Sequence, residues 1–596
     1  MGGGAPGTLV AAQAALRRHA MPFGAEVLGD GAVRFRLWAP GATQVSLLLE
    51  NREFSMRPAD AGWYETTEKA RPGALYRYRI DGSHDVPDPA SRFQPRDVDG
   101  PSEVIDPLAF EWHDEAWRGR PWQEAVIYEL HVGAFSSQGT YDGVMSKLGY
   151  LRDLGVTAIE LMPISDFAGR RNWGYDGVLP YAPDSVYGRP EALKALVQAA
   201  HQAGLMVFLD VVYNHFGPRG NFLGLYAPQF FTAKHQTPWG AAIDFSVGTV
   251  REYFIHNALY WLEEYRFDGL RFDAVHAIVD PSPRHVLEDI AVAVHARDPD
   301  RHVHLMLEND ANQARFLGPG RFDAQWNDDS HHAFHVLATG ESDGYYAAYA
   351  QAPARHLARS LAEGFAYQGE VSPFSNAPRG EPSAHLAPRC FVDFLQNHDQ
   401  VGNRAHGERL ASLADEGKLK LLSAVLLLAP SPPLLFMGEE WGCHQPFLFF
   451  CDFDGELGEA VRNGRREEFA RFAAFADAKA RARIPDPLSE QTFKRCVLRW
   501  KDARGTQGRA WLAHYRQLLE LRRAEIAPRK FGPGRHRMLG ERAFEVAWDG
   551  AAGQLRLLAN FSEGSIATDS PPRGRLIWGN GNGRRLDPWT ASWWIA

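Results

Sequence analysis

Cysteine is scarce in this chain of 596 residues, and the few cysteines are not spaced as a site. Cys390, Cys443, Cys451 and Cys496 contain no Cys-x-x-Cys pair. That spacing argues against a disulfide scaffold, a zinc knuckle and a thioredoxin-type site. We therefore expect these thiols to be buried as small apolar side chains.

An excess of basic residues is also missing. The chain has 64 Lys and Arg against 73 Asp and Glu, which gives a formal net charge of −9. Proteins that bind nucleic acid present a basic stripe or patch to the phosphates. The sequence therefore predicts no nucleic-acid partner.

Long apolar runs and a signal peptide are lacking as well. The most apolar stretch, residues 421–437, is interrupted by serine and by three prolines, so it is too short to cross a membrane. At the N-terminus Arg17 and Arg18 follow the apolar part, whereas a signal peptide has its basic residues first. We predict a cytoplasmic protein with no membrane partner.

Apolar and aromatic residues, in contrast, are plentiful. Hydrophobic residues make up 45% of the chain and charged residues 23%, a balance that allows sizeable cores. The 17 Trp residues are about twice the ordinary usage, and their rings either fill cores or stack on sugars and bases. At roughly 150 residues per domain the length suggests about four units, or fewer if one is a barrel.

The first part of the chain reads as a β-sandwich. Residues 33–40, 44–50 and 74–82 have strand composition, and Asp30-Gly31 lies where a tight hairpin turn is expected. Residues 85–107 are rich in Pro and Asp with little periodicity. This stretch is either a linker that packs on its neighbours or a domain boundary.

From about residue 125, short apolar strands alternate with helical patterns such as 142–155 and 189–204. The eight strand candidates are residues 125–132, 158–164, 206–212, 269–275, 303–309, 322–326, 390–397 and 433–439. Apolar strands joined by crossover helices indicate a parallel sheet covered by helices. Eight of them favour an α/β fold of the (β/α)₈ TIM-barrel type over a doubly wound sheet.

After a helical pattern at 510–525 the tail returns to strands. Its strand candidates are residues 544–550, 554–564, 575–580 and 592–596, which suggest a small antiparallel sheet. We therefore divide the chain into an N-terminal sandwich with its linker, a barrel and a C-terminal β domain. The predicted bounds are residues 1–105, 106–529 and 530–596.

Polar residues gather at the ends of the predicted barrel strands, the face where barrel enzymes place their sites. An isolated acid there is more often a helix N-cap or an ion-pair partner. Four acids at four strand ends would converge on one axis, which is costly without a function. The four are Asp210, Asp273, Glu308 and Asp399, on strands three, four, five and seven.

The segments around these acids resemble the four conserved segments of the α-amylase superfamily of glycoside hydrolases. They read DVVYNH (210–215), GLRFDAVH (269–276), LMLEND (305–310) and FLQNHD (394–399), in the expected order and on the expected strands. An early-set β-sandwich in front and a β domain behind are typical of its branching and debranching members. The resemblance thus covers residues 23–596.

Longer stretches are similar to those of the maltooligosyltrehalose trehalohydrolases within that superfamily. These stretches are residues 87–95, 169–178, 323–335, 396–410 and 439–453. The resemblance implies hydrolysis of the α-1,4 bond beside a terminal α,α-trehalose unit, with maltooligosyltrehalose and related α-glucans as partners. A glycogen branching enzyme or a general α-glucan hydrolase is the alternative. A glucan-binding protein without activity would be expected to lack one of the three catalytic acids.

The resemblance implies that Asp273 is the nucleophile, Glu308 the general acid/base and Asp399 the transition-state stabiliser. Retaining hydrolysis needs one ionised and one protonated carboxyl about 5–5.5 Å apart. Arg271, two residues before Asp273 on the same strand face, favours an ionised Asp273. Glu308 has no basic residue beside it in sequence, and nearby acids are expected to raise its pKa.

Seven further residues are expected to form the substrate-binding site. They are Tyr175, Asp210, His215, Arg271, His276, His398 and Gln400. We expect Tyr175 to stack on a sugar and His215 to donate to a hydroxyl, with Asp176 bracing them. Asp210 is expected to order Arg271 rather than to touch substrate.

We predict neither a metal nor any other cofactor. Asn214 matches a position that ligates calcium in many α-amylases, but its partner ligands cannot be identified in this sequence. His331, His332 and His335 have helical spacing, and the resemblance places them at the barrel rim instead of around a metal.

Recognition of the trehalose end is expected from the long excursions at strand ends. The candidates are residues 368–388, before strand seven, and 442–454, after strand eight. Both mix aromatic and polar residues, as carbohydrate contacts require, although plain loop filling is the alternative.

Overall fold

The N-terminal part forms two antiparallel sheets that pack as a sandwich. The structure is a computed structural model, and it describes residues 18–237, 240–297, 299–471, 475, 477–568 and 572–596. Residues 1–17, on which the prediction of no signal peptide rests, lie outside the described residues. The nine strands are β1 Gly24–Val27, β2 Ala32–Trp38, β3 Val45–Leu49, β4 Arg52–Ser55, β5 Arg57–Ala59, β6 Trp63–Lys69, β7 Leu75–Ile80, β8 His84–Val86 and β9 Ser102–Glu103.

One sheet has the strand order β1-β2-β6-β5 and the other β4-β3-β7-β8, with β9 paired to β7. Alternate residues of β2 and β3 are buried, which is the pattern of strands with one face on a core. Gly31 has a φ of 77° in the turn between β1 and β2, a conformation that glycine adopts without strain. The predicted hairpin at Asp30-Gly31 is therefore confirmed.

The stretch after the sandwich packs on its neighbours. The buried guanidinium of Arg92 bonds both carboxylate oxygens of Glu264, at 3.2 and 3.3 Å, on a barrel helix. Phe23 of the sandwich meets the ring of Tyr253, on the same helix, edge to face. Residues 85–107 thus contain buried side chains that contact the barrel, and the position of the domain boundary stays a prediction.

Among its described residues the central part has fourteen strands, of which eight close into a parallel barrel. The strands are β10 Ile127–Leu130, β11 Ala158–Leu161, β12 Ser165–Asp166, β13 Leu179–Pro183, β14 Met206–Val211, β15 Phe231–Thr237, β16 Gly240–Ile243, β17 Gly269–Phe272, β18 His304–Leu307, β19 Ala324–Trp326, β20 Val371–Ser372, β21 Ala377–Pro378, β22 Phe391–Phe394 and β23 Pro433–Phe436. The barrel order is β10-β11-β14-β17-β18-β19-β22-β23. All eight barrel strands were predicted, and the (β/α)₈ fold is confirmed.

Helices cover the barrel and fill its excursions. In the described residues the α-helices are α1 Val132–Phe135, α2 Tyr141–Met145, α3 Leu148–Leu154, α4 Pro190–Gln202, α5 Leu223–Tyr226, α6 Gly248–Glu264, α7 Val286–His295, α8 Asp328–Thr339, α9 Ala347–Ala350, α10 Pro353–Glu363, α11 His398–Gly402, α12 Leu410–Leu413, α13 Glu416–Leu428, α14 Gly455–Glu468, α15 Ala478–Arg481, α16 Glu490–Cys496 and α17 Thr506–Leu521. None of the helices described is long and apolar enough to cross a membrane.

The barrel interior is packed with apolar side chains from alternate strand positions, among them Phe208, Met306 and Trp326. Gly269 is required in this layer, because a Cβ there would lie 2.4 Å from the carbonyl oxygen of His304. The filled interior places the polar strand ends at one open face. The four cysteines are buried and unbridged, as predicted.

The C-terminal part is antiparallel, with a five-stranded sheet in the order β24-β25-β26-β30-β28 and the pair β27-β29. Its strands are β24 Phe531–Gly540, β25 Ala543–Gly550, β26 Gly553–Asn560, β27 Ile566–Ala567, β28 Arg575–Gly579, β29 Arg585–Leu586 and β30 Thr590–Ile595. The sequence prediction omitted β24, which contains two irregular registers and a Gly-Pro-Gly run. The residue bounds predicted for the three domains stay predictions.

Candidate active site

The guanidinium of Arg271 is the centre of the site. It is 1% exposed, and its Nη1 donates to Asp210 Oδ2 at 2.6 Å and to Asp273 Oδ1 at 2.9 Å. Its Nη2 donates to Glu308 Oε2 at 2.7 Å. One buried cation therefore binds the carboxylates of three neighbouring barrel strands, β14, β17 and β18.

Sequence spacing explains how Arg271 reaches this position. It lies on β17, and Asp273 follows two residues later on the same strand face. The guanidinium also lies over the ring of Trp326, 4.0 Å from the ring centroid, a cation–π contact from β19. The sequence argument paired Arg271 with Asp273 and with Asp210; in the structure Arg271 also contacts Glu308.

A turn in the backbone after β17 brings Glu308 into place. Ala274 has a φ of 41°, in the left-handed region, and its N–H donates to Glu308 Oε2 at 2.9 Å. Burial, more than any other cause, raises the pKa of Glu308; Arg271 lowers it and Asp273 raises it. The predicted direction agrees with the structure, but burial is the main cause.

The second oxygen of Asp273 is held by Asn214. Its Nδ2 donates to Asp273 Oδ2 at 2.8 Å and to the Asp273 carbonyl at 2.9 Å, while its Oδ1 contacts the ring of His215. Both ends of the Asn214 amide are thus engaged. The side chain of Asp273 remains 12% exposed, so it is open to a ligand.

His398 and Asp399 begin the short helix α11. Asn397 caps this helix, since its Oδ1 accepts from the N–H of Asp399 at 2.9 Å. Asp399 Oδ1 accepts from Asn403 at 2.6 Å. Burial raises the pKa of Asp399 first of all, against the lowering effect of His398.

The polar atoms of Tyr175 and His215 are hydrogen-bonded to other groups of the protein. The Tyr175 hydroxyl donates to Asp210 Oδ2 at 2.7 Å, and its ring stacks on His398 with centroids 5.1 Å apart. His215 is 6% exposed, and both of its ring nitrogens have protein partners, one of them the carbonyl of Tyr175 at 2.9 Å. Asp176 accepts from Asn172 behind this loop.

The remaining expected residues lie at the rim. His276 is exposed and its Nδ1 accepts from the N–H of Asp310 at 3.3 Å. Gln400 donates to Asp328 Oδ1 at 3.3 Å. Asp328 was missed: burial and the nearby Glu308 raise its pKa well above the ordinary value.

Glu129 on β10 was also missed. It is 1% exposed, and its carboxylate binds both the main-chain N–H and the ring of His398. The signal available was a charged residue inside the apolar strand at 125–132. The end of strand six, where Asp328 lies, could have been searched by the rule used for the other strand ends.

The histidines of α8 lie in a buried aromatic group. His331 Nδ1 lies 2.8 Å from the carbonyl of Leu395, and His335 Nε2 lies 2.7 Å from Glu341. The ring of His335 stacks on Tyr346 at 4.1 Å. No three His, Cys, Asp or Glu side chains of the described residues form a group that could hold a metal ion.

Two family models match the chain. The catalytic domain of alpha amylase matches residues 92–223, and carbohydrate-binding module 48, the isoamylase N-terminal domain, matches residues 22–109. Together with the closed barrel and its cluster of strand-end acids, these matches define a glycoside hydrolase of the α-amylase superfamily.

Relatives narrow the assignment. The chain is 44% identical over 500 residues to the malto-oligosyltrehalose trehalohydrolase of Deinococcus radiodurans, covering 83% of this chain and 82% of that protein. It is also 44% identical over 492 residues to the protein of the same name from Saccharolobus solfataricus, covering 81% of this chain and 84% of that protein. The chain belongs to the malto-oligosyltrehalose trehalohydrolase family.

Other matches comprise a partial relative, a solved structure that aligns with almost the whole chain, and a distant structure that shows the fold alone. A 1,4-alpha-glucan branching enzyme from Pseudoalteromonas atlantica is 31% identical over 280 residues, covering 42% of this chain and 38% of that one. A crystal structure of an alpha-amylase-like protein from Salmonella typhimurium aligns with a TM-score of 0.93 at 45% identity, over 97% of this chain and all of that one. A pullulanase from Anoxybacillus shares the fold with a TM-score of 0.71 at 19% identity, over 98% of this chain and 87% of that one.

Proposed function

We propose that the enzyme hydrolyses, with retention, the α-1,4-glucosidic bond next to the terminal α,α-trehalose unit of maltooligosyltrehalose. Trehalose and a shortened maltooligosaccharide are the products. The observation that carries the proposal is the single guanidinium of Arg271 that binds Asp273 and Glu308 on adjacent strands. The names of the full-length relatives supply the substrate.

Asp273 acts as the nucleophile. One of its oxygens attacks the anomeric carbon of the glucosyl unit, and the bond from that carbon to the trehalose oxygen breaks. Arg271 and Asn214 hold the two oxygens of Asp273, so the carboxylate is oriented before substrate binds. The product of this step is a covalent glucosyl ester.

Glu308 donates its proton to the departing trehalose oxygen and then removes a proton from the water that hydrolyses the ester. A general acid must hold a proton at the working pH, and burial raises the pKa of Glu308 in that direction. Because the acids of β17 and β18 share one guanidinium, they are held close together, which favours the short carboxyl spacing of retaining enzymes.

Asp399 stabilises the positive charge that develops on the sugar ring, with His398 beside it as a hydroxyl donor. Tyr175 stacks on His398, which keeps the edge of that histidine directed at the site. We assign to Asp210 and His215 the ordering of Arg271 and of Tyr175, because their own polar atoms contact these residues.

The trehalose end is recognised, in our proposal, by residues 368–388. This excursion holds the hairpin β20–β21, and Phe374 at its tip is 57% exposed. Arg379 joins it to the acid side of the site through Asp310 Oδ1 at 3.0 Å and Asp329 Oδ1 at 2.6 Å. An exposed ring beside a fixed cation can stack on one glucose and leave polar groups for the other.

Residues 442–454 are better explained by packing. Phe447 and Phe450 are fully buried, and Phe447 stacks on Trp173 with centroids 5.5 Å apart. Aromatic rings in that position support the loop that bears Tyr175. They have no face left for a sugar.

The test compares maltotriosyltrehalose with maltopentaose, which has the same number of glucose units. We expect strong preference for the trehalose-ended substrate, since polar groups placed for the second glucose stay unpaired with maltose there. Equal turnover would contradict the assignment and favour a general α-glucan hydrolase. Incubation with amylose tests for a branching enzyme. Such an enzyme would lower the iodine colour without releasing reducing sugar.

A substitution sharpens the test. Phe374→Ala should lower the preference for maltotriosyltrehalose about three- to tenfold, because that factor corresponds to the loss of one aromatic contact. Leu108→Ala is the matched control, because Leu108 is 47% exposed and lies outside both candidate excursions, residues 368–388 and 442–454. A preference unchanged in both variants would remove Phe374 from the proposal. The cytoplasmic location stays a prediction that cell fractionation can test.

A further inference from the structure

Glu129 holds His398 at two points. Its Oε2 accepts the main-chain N–H of His398 at 3.0 Å, and its Oε1 pairs with ring Nδ1 of the same residue. Glu129 lies on β10, across the barrel from Arg271, and is almost fully buried. One carboxylate therefore fixes both the backbone and the ring of His398.

The ring of His398 is also enclosed by aromatic side chains. Tyr175 stacks on it at an interplanar angle of 23°, and Trp173 meets it edge to face with centroids 5.5 Å apart. Since Nδ1 is occupied by Glu129, Nε2 is the nitrogen left for a ligand. Nε2 makes no hydrogen bond within the part of the chain described here.

The groups that face His398 favour its charged form. Burial and the guanidinium of Arg271 lower the pKa of the imidazole, whereas Glu129 and Asp399 raise it, and the net direction is upward. Tyr175 and His131 also lie nearby; burial raises the pKa of the Tyr175 hydroxyl and lowers that of His131 to about 4, so both favour the neutral form.

We propose that Glu129 is a positioning residue: it keeps His398 as an imidazolium whose Nε2–H is directed at the substrate, and it fixes the start of the helix that bears Asp399. This inference rests on the proposed function. A charged donor held in one orientation stabilises an oxygen of the substrate more than a neutral, rotating ring does.

Glu160 provides a matched control one strand away. It pairs with Glu129 in the register of β10 and β11, and it is equally buried. Neither of its carboxylate oxygens has a hydrogen-bond partner among the described residues. Burial, Glu129 and Asp210 raise its pKa well above the ordinary value, which favours its neutral form. Glu160→Gln keeps the size of the side chain and breaks no hydrogen bond of its carboxylate among the described residues.

The experiment measures kcat and KM of Glu129→Gln and Glu160→Gln across pH. With maltotriosyltrehalose, Glu129→Gln should lower kcat/KM about 10- to 100-fold, the effect of a lost bond to a charged group. Glu160→Gln should stay within about twofold of the parent. Equal losses in both variants, or no loss in Glu129→Gln, would overturn the proposal.

A maltosyl fluoride substrate isolates His398 from Glu308, because fluoride departs without a proton. The alkaline limb that remains reports the loss of the His398 proton, and Glu129→Gln should move it to lower pH. A uniform loss with an unmoved limb would show mere structural support and would contradict the inference. If the unsubstituted enzyme hydrolysed maltosyl fluoride but not maltotriosyltrehalose, only the proposed substrate would be rejected.

A measurement on the unsubstituted enzyme covers the case in which Glu129→Gln does not fold. In the full chain with ¹³C-labelled histidine rings, the His398 signal is the one lost in His398→Gln. We expect it to remain in the protonated form above the ordinary histidine pKa of about 6.5. Titration at or below that value would overturn the proposal.

Discussion

Two groups of buried acids lie at the open end of this barrel, and they are stabilised in opposite ways. Asp210, Asp273 and Glu308 surround the cation of Arg271. Glu439 and Glu440 follow β23, and within the described residues neither is in an ion pair.

The second group is held by neutral donors. Glu440 accepts from the hydroxyls of Tyr128 and Tyr150, the latter at 2.9 Å. Glu439 accepts from Tyr515 at 3.0 Å and from Gln396 at 3.2 Å. Burial, above all, raises the pKa of Glu439 to about 8 and that of Glu440 to about 7. An acid at a strand end thus becomes a candidate for catalysis when a cation and partial exposure accompany it.

The largest expected effect comes from Asp273→Asn. The substitution removes the attacking oxygen while volume and Arg271 remain, so kcat should fall about 10⁴-fold or more. The loss of catalysis is measured as activity on maltotriosyltrehalose, and a thermal unfolding curve checks that the variant is folded. The product of the parent enzyme should be the α-anomer, and a β-anomer would contradict retention.

Next in size is Glu308→Gln. Without a proton to donate, hydrolysis of maltotriosyltrehalose should slow about 10²- to 10⁴-fold. Formation of the glycosyl ester from maltosyl fluoride should be spared, because that leaving group needs no proton. Equal losses on both substrates in single-turnover kinetics would refute the role of Glu308.

Removal of the shared cation tests the comparison directly. Arg271→Gln leaves buried Asp210 and the partly buried Asp273 and Glu308 without their cation, and the free energy of unfolding should fall by about 3–5 kcal/mol. Because the loss arises from uncompensated carboxylates, it should be greatest at high pH and shrink as they become protonated. Denaturant unfolding at pH 5 and pH 8 measures it; a loss independent of pH would show that charge is not the cause.

The smallest expected effect belongs to Glu439→Gln. The native pKa of Glu439 lies above its ordinary value of 4.5, so its contribution to stability is lost as pH rises from about 4.5 to about 8. Glutamine does not titrate, and the variant should melt about 1–3 °C above the parent at pH 8.5 but not at pH 4.5. Activity should be unchanged. The prediction would be contradicted if the melting temperatures of variant and parent differed by the same amount at both pH values.

Most of the barrel could be predicted from sequence, because each strand is a short apolar run that ends in polar residues. Strand β24 could not, since Gly532, Pro533 and Gly534 interrupt its alternation. Its pairing partner β25 overrides that weak local preference.

The site was predicted unevenly for a similar reason. Acids at strand ends, such as Asp273, follow from one rule, whereas Glu129 lies within a strand and is recognised only through its contact with His398. The contact between Arg271 and Glu308 was not predicted, because it depends on the backbone turn at Ala274 that brings Glu308 into place. The same rule would also have selected Glu439, which the structure gives no cation.

Ala274 sets a limit on how this site can vary. With a φ of 41° it presents its N–H to Glu308, and that left-handed conformation strains most side chains, those branched at Cβ above all. Glycine or asparagine should be accepted at this position, whereas valine or isoleucine should not. The range of residues permitted beside Asp273, the proposed nucleophile, is therefore dictated by backbone geometry, so a library randomised at position 274 should return very few active members.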